Sequence, residues 1–145
     1  LALDLGADAA VAPADLAGTD ADDADLVFEV SGSPDALDDA VGVAGYDARV
    51  VVGSWYGRKR ADLDLGGRFH RERIALVSSQ VSTIDPALRG RWDTERRMDL
   101  AWDQLRGVPV DRFVTHRVPI AEAARAYELL DADPESALGV LLTYE

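Results

Sequence analysis

Three strand candidates end in small or turn residues: VSGS (Val30 to Ser33), VGSWYG (Val52 to Gly57) and VSSQ (Val77 to Gln80). Glycine lets a backbone come close to a flat ligand, and exposed N–H and C=O groups there can read an amide. If a sheet aligns the three ends, a planar ligand can lie across them. The competing reading is plain architecture, since glycine and serine also make ordinary strand-to-loop turns.

Other sets of reactive residues do not assemble. Asp20 to Asp25 reads DADDAD, yet a calcium loop needs glycine at its sixth position and a glutamate where Ser31 stands. A solvated acidic loop is expected instead. His70 and His116 are distant in sequence, there is no cysteine, and no H-E-x-x-H occurs, so no zinc site is expected within the chain. His116, beside Arg117 on an extended segment, reads as a surface residue. Ser54, Ser78 and Ser79 lack the G-x-S-x-G elbow of a nucleophilic serine. GVAG (Gly42 to Gly45) lies at the end of a helical pattern, the wrong place for a dinucleotide fingerprint. Arg58-Lys59-Arg60 is a short basic loop, able to meet a phosphate or simply to stay solvated. No catalytic set is expected from this chain.

The three ends need elements to hold them. LVFEV (Leu26 to Val30) is a nearly continuous apolar run of strand length, as expected of a strand buried on both faces. ARVVVGS (Ala48 to Ser54) and IALVSS (Ile74 to Ser79) read as two further parallel strands. Between the first two lies a helix with Ser33 at its N-cap, Pro34 in the first position, Asp35 at the positive dipole end and Gly45 at its close. Strand, helix and strand in this order form a βαβ unit. AAVAP (Ala9 to Pro13) is an earlier strand candidate. Leu1 and Leu5 are in step with a helical face that Gly6 terminates. ADLDL (Ala61 to Leu65) alternates like an exposed edge strand. Asp93 caps a helix with Met98, Ala101, Trp102 and Leu105 on one face and Gly107 at its close. Arg112 to Pro119 is extended, Ile120 to Leu130 helical, and Ala137 to Tyr144 a closing strand. The class is α/β.

Composition bounds the partners. The 145 residues are 48% hydrophobic with no apolar run long enough to span a membrane, so a soluble core-forming domain is expected. Asp and Glu total 27 against 15 Lys and Arg, for a formal charge of −12. Such a chain repels phosphate backbones, which argues against nucleic acid as a partner. A charge of this size strains the compact state in dilute salt, and screening relieves it, so a high-salt interior is the expected setting. The lack of cysteine fits a reducing cytoplasm.

Together, LALDLGADAAV, DLVFEVSGSPDALDDAV, ARVVVGSWYG, FHRERIALVSSQVSTIDP, RWDTERRMDLAWDQL and FVTHRVPIAEAARAYELL resemble the C-terminal portion of zinc-dependent medium-chain alcohol dehydrogenases. The resemblance runs over nearly the whole chain. It implies that residues 1–145 are the C-terminal portion of an NAD(P)-binding Rossmann domain, a partial parallel sheet flanked by helices. In a 3-2-1-4-5-6 sheet the chain would supply strands 3 to 6 and lack the first two, with the glycine-rich loop and a zinc-bearing catalytic domain standing in front. Val30, Ser31, Gly32 and Ser33 would then lie along the adenosine and ribose of NAD or NADP. Val52, Gly53 and Ser54, with Leu76, Val77 and Ser78, would offer backbone groups to the carboxamide. Zinc in the parent enzyme would polarise a small-molecule alcohol for hydride transfer, with none bound by this chain. Gly139 departs from relatives that carry a basic residue toward the pyrophosphate. The resemblance also implies a homodimer paired through the 61–65 edge. The other readings are a non-catalytic dimerisation module and a small ligand-binding domain using the same strand ends.

Overall fold

The computed structural model describes residues 1–16, 19 and 21–144. They form two compact units, Leu1–Ser82 and Thr83–Glu145. Asp20, in the acidic run, lies outside the described residues.

In the first unit, β1 (Ala24–Glu29), β2 (Ala44–Val52) and β3 (Ala75–Ser78) form a parallel sheet in the order β1-β2-β3. This is the α/β arrangement expected of the three central apolar runs. α1 (Pro34–Val43) connects β1 to β2, and the short α2 (Arg68–Arg71) precedes β3. Leu37, Ala40 and Val41 recur at helical spacing on the buried side of α1 and pack with Ala44, Ala48, Val50 and Ile74. Val50 is wholly buried, a burial that contributes about 1.5–3 kcal/mol. Val27, Val52, Tyr56, Leu63, Phe69 and Leu76 close around this cluster.

The opposite sheet face is open, which corrects the expectation of strands buried on both sides. Leu26, Phe28 and Val30 are 49%, 63% and 75% exposed. Phe28 is in register with Val51, and Val51 with the exposed Val77. The apolar run made all of Leu26 to Val30 look buried. α1, however, packs against the side that carries Val27 and Glu29.

Further boundaries differ from expectation; Arg112 and Phe113, expected to be extended, close a 3-10 turn (Val110–Phe113), and the closing strand is shorter than Ala137 to Tyr144. Ala9 to Ala12 join no sheet, and Pro13–Asp15 form a 3-10 turn. A strand persists only with a hydrogen-bonded neighbour, and no described strand offers this segment one. Residues 61–65 likewise form no strand among the described residues; Leu63 packs on the core instead. α1 ends at Val43, and Gly45 sits inside β2. The glycine there answers to packing, because a Cβ would meet the carbonyl carbon and oxygen of Asp23 at 2.9 Å each. The expected helix end at the start of the chain is a 3-10 turn, Leu3–Leu5. Gly6 at φ 102° donates to Leu3 O while Ala7 N–H donates to Ala2 O, a Schellman closure.

The second unit holds α3 (Thr94–Leu105), β4 (His116–Pro119), α4 (Ala123–Ala132) and β5 (Val140–Thr143). Asp93 caps α3 as expected, accepting from Arg96 N–H at 2.8 Å. None of α3's residues is buried, so Met98, Ala101, Trp102 and Leu105 form an exposed stripe and not a core face. β4 and β5 pair in parallel, and Val118 and Ala126 are the buried residues of this unit. Gly139 is held close to Phe113, whose carbonyl a Cβ would strike. A basic side chain at this position would need the backbone to move.

Candidate functional site

Parallel pairing fixes where the three strand ends fall. Glu29 is in register with Val52, and Val52 with Ser78, so β1, β2 and β3 all terminate along one edge. In open parallel sheets this carboxyl edge is where ligands lie. The structure therefore brings together the segments 30–33, 52–54 and 76–78.

Within that edge the candidate residues divide. Val30 is exposed on the open face, and Val77 lies exposed on the same face. Val52 and Leu76 are half-buried against the core. Ser78 closes β3 at the surface. Two backbone groups that could have met a ligand are already bonded: Gly53 N–H donates to Glu29 O at 2.9 Å, and Val52 O accepts from Ser79 N–H at 2.9 Å. Gly53 C=O and Ser54 N–H enter no hydrogen bond among the described residues. That donor and acceptor pair suits the edge of a planar amide.

Sequence reasoning missed the residue that organises the edge. Glu29 stands within an apolar strand, on the face that α1 covers, and is only 4% exposed. Its Oε1 accepts from Ser31 N–H at 2.6 Å, from Ser31 Oγ at 2.6 Å and from Gly32 N–H at 3.0 Å. Its Oε2 accepts from Ser54 Oγ and from Tyr56 OH, the latter at 2.7 Å. Ser33 N–H joins indirectly, donating to Ser31 Oγ at 3.0 Å. Lys59 Nζ donates to Gly32 O at 3.0 Å from the other side of the turn. The available signal was an acidic residue in phase with Val27, followed after Val30 by the turn residues Ser31-Gly32-Ser33.

This network sets the ionisation. Burial pushes the Glu29 carboxyl up, but the hydroxyls of Ser31, Ser54 and Tyr56 and the Ser31 N–H favour the charged form more strongly and hold it down at about 2. Burial, the hydrogen bond to Glu29 and the negative charge of Glu29 push Tyr56 up to about 12, with Ser54 opposing. The network thus favours a charged Glu29 and a neutral Tyr56. Ser54 Oγ donates to Glu29.

Among the described residues, no three or more His, Cys, Asp or Glu are grouped so that they could hold a metal ion. A carboxamide such as that of a nicotinamide would find one acceptor and one donor at Gly53 and Ser54. The pyrophosphate of a dinucleotide does not fit the β1–α1 turn, where Ser31 and Gly32 already donate to Glu29. A cavity of about 300 Å³ lies elsewhere, beside the second half of α1, where Arg68 pairs with Asp22 at 2.6 Å. No helix among the described residues is long and apolar enough to cross a membrane.

No family model matches the sequence, and no curated protein does. Solved structures do. A thermostable alcohol dehydrogenase from Pyrobaculum aerophilum is 23% identical with a TM-score of 0.67, over 96% of this chain and 37% of that one. A protein described as a short chain alcohol dehydrogenase, from Escherichia coli CFT073 and in complex with NADH, is 19% identical with a TM-score of 0.59, over 83% of this chain and 32% of that one. The glucose dehydrogenase of Haloferax mediterranei, in complex with NADP, Zn and gluconolactone, is 16% identical with a TM-score of 0.61, over 85% and 32%. The chain spans about a third of the length of these structures. It has the fold of that third of these dehydrogenases.

Proposed function

We propose that this chain is the nicotinamide-side portion of an NAD(P)-binding Rossmann domain from a zinc-dependent alcohol dehydrogenase, and that it is not catalytic by itself. The observation that carries the reading is the alignment of three strand ends on one edge, with Gly53 C=O and Ser54 N–H left for a ligand. The likeness to solved dehydrogenases supports it through the fold. When bound, the nicotinamide cofactor supplies or accepts the hydride. This chain's part is to orient: Gly53 and Ser54 hold the carboxamide, which fixes the face that the ring presents. Val30 and Val77 exclude water from the open side. Zinc belongs to the proposal only as a property of the whole enzyme, and no residue here is assigned to it.

The test is titration of the chain with NADH and NADPH, read at the backbone amides of Gly53 and Ser54 by NMR. Weak binding confined to this edge is expected of half a site. Amides that stay unmoved at the highest soluble cofactor concentration would overturn the reading. The alternative, a dimerisation module, draws on residues 61–65, which form no strand among the described residues. A homodimer through this segment, and a cytoplasmic setting, remain parts of the proposal. Sedimentation of wild type against Asp62→Pro tests the dimer, and a monomeric wild type would remove it.

A further inference from the structure

Concavities lined by successive backbone N–H groups, with one residue in the left-handed region, are where proteins hold anions. Phosphates in particular sit at strand-to-helix turns. The β1–α1 turn has this build. Gly32 is at φ 71°, and Ser31 N–H, Gly32 N–H, Ser31 Oγ, Ser54 Oγ and Tyr56 OH converge on one point. That point holds the carboxylate of Glu29.

We propose that Glu29 is a built-in anion that fills this ring of donors, so that the strand end admits the uncharged, hydroxyl- and amide-bearing part of a ligand and rejects phosphate. The choice of ligand rests on the dinucleotide reading above; the rejection of phosphate does not. Three observations carry the proposal. All five donors of the ring are consumed by Glu29, so a phosphate arriving here would be left with the Lys59 ammonium, which already donates to Gly32 O. The carboxylate is buried, so its charge is poorly screened and repels a second anion nearby. Beside it the open groups at Gly53 and Ser54 are a neutral donor and acceptor, suited to an amide. The turn thus orders a two-part ligand along the edge: neutral groups go to the ends of β1 and β2, and phosphate must lie elsewhere.

The experiment compares wild type with Glu29→Ala by NMR, adding formate or inorganic phosphate at ionic strength matched with chloride. In wild type, the amides of Ser31 and Gly32 are expected to stay unmoved by either anion. Glu29→Ala leaves the five donors around a carboxylate-sized gap, and formate should produce a saturable shift of the same two amides. Glu29→Gln refills the gap with a neutral acceptor, and the response should vanish. A saturable phosphate shift at Ser31 and Gly32 in wild type overturns the proposal. That arm stands even if Glu29→Ala does not fold. An Ala variant that folds and ignores formate also overturns it. If NADH moves nothing while the anion results hold, the cofactor reading fails and the built-in anion stands.

Discussion

Tyr56 and Glu29 are 27 residues apart and joined by a 2.7 Å hydrogen bond. The bond ties the end of β1 to the loop that follows β2. It is one of five that a single carboxylate accepts, and it aligns the first two strand ends along the candidate edge. Tyr56→Phe removes one donor from a buried anion and keeps the ring volume. Leaving that charge short of a partner costs about 1–3 kcal/mol. Urea unfolding should show the loss with an unchanged slope. A difference below about 0.5 kcal/mol, the low end for a typical hydrogen bond, would mean that Tyr56 does not hold the edge.

Acid should expose the same network. The Glu29 carboxyl titrates at about 2 in the folded chain, below its ordinary value of 4.5. A depressed carboxyl contributes stability that is fully present above the unfolded value and lost as pH falls through the folded one. Glu29 therefore steepens the loss of stability between pH 4.5 and about 2. Tyr56 works in the opposite sense at high pH. Raised from 10.0 to about 12, it contributes stability that is complete below 10 and disappears as pH climbs through 12. Denaturation across the acid window should be shallower in Glu29→Gln than in wild type. Equal slopes would show that Glu29 is not held ionised.

Two glycines three positions apart should respond with opposite sign. Gly42 lies in α1, where a Cβ would meet nothing within 4 Å. Gly42→Ala should raise stability by about 0.5–1 kcal/mol through helix propensity and a less flexible unfolded chain. Gly45 packs against the backbone of Asp23, which itself has a positive φ of 73°. Gly45→Ala should cost about 1–3 kcal/mol, as overpacking typically does. Thermal melts of the two variants decide the matter, and equal effects would place Gly45 as a helix terminator after all.

What could be read from the residues was whatever depends on neighbours in sequence. The apolar runs around Val50 and Leu76 placed the strands, Asp93 announced its cap, and Gly6 its left-handed turn. What could not be read depends on neighbours in space. Ala9 to Ala12 have strand composition but no pairing partner, and Leu63 alternates like an edge yet packs inward. Gly45 reads as a helix end, while the lack of a Cβ at Gly45 and at Gly139 answers to Asp23 and Phe113. Glu29 was hidden because one acidic residue in LVFEV does not alter the apolar pattern. Only the fold shows that Ser54 and Tyr56 come round to meet it.

The charge balance leads to the last prediction. The net charge is −12, and the ion pairs Arg73–Asp47, Arg106–Asp103 and Arg125–Glu122 are all exposed, where each contributes little. Repulsion among the remaining carboxylates therefore opposes the compact state. Salt at 0.1 M screens beyond about 10 Å, and at 1 M beyond about 3 Å. The melting temperature should rise steeply with the first additions of KCl and then level off as screening saturates. Burial of apolar surface would respond differently, with a gain that keeps growing as an excluded salt such as sulfate is added. The buried cluster around Val50 supplies that second contribution in the same chain. Comparing KCl with potassium sulfate at equal ionic strength separates the two. A flat response to KCl up to molar concentrations would show that charge repulsion does not limit this fold.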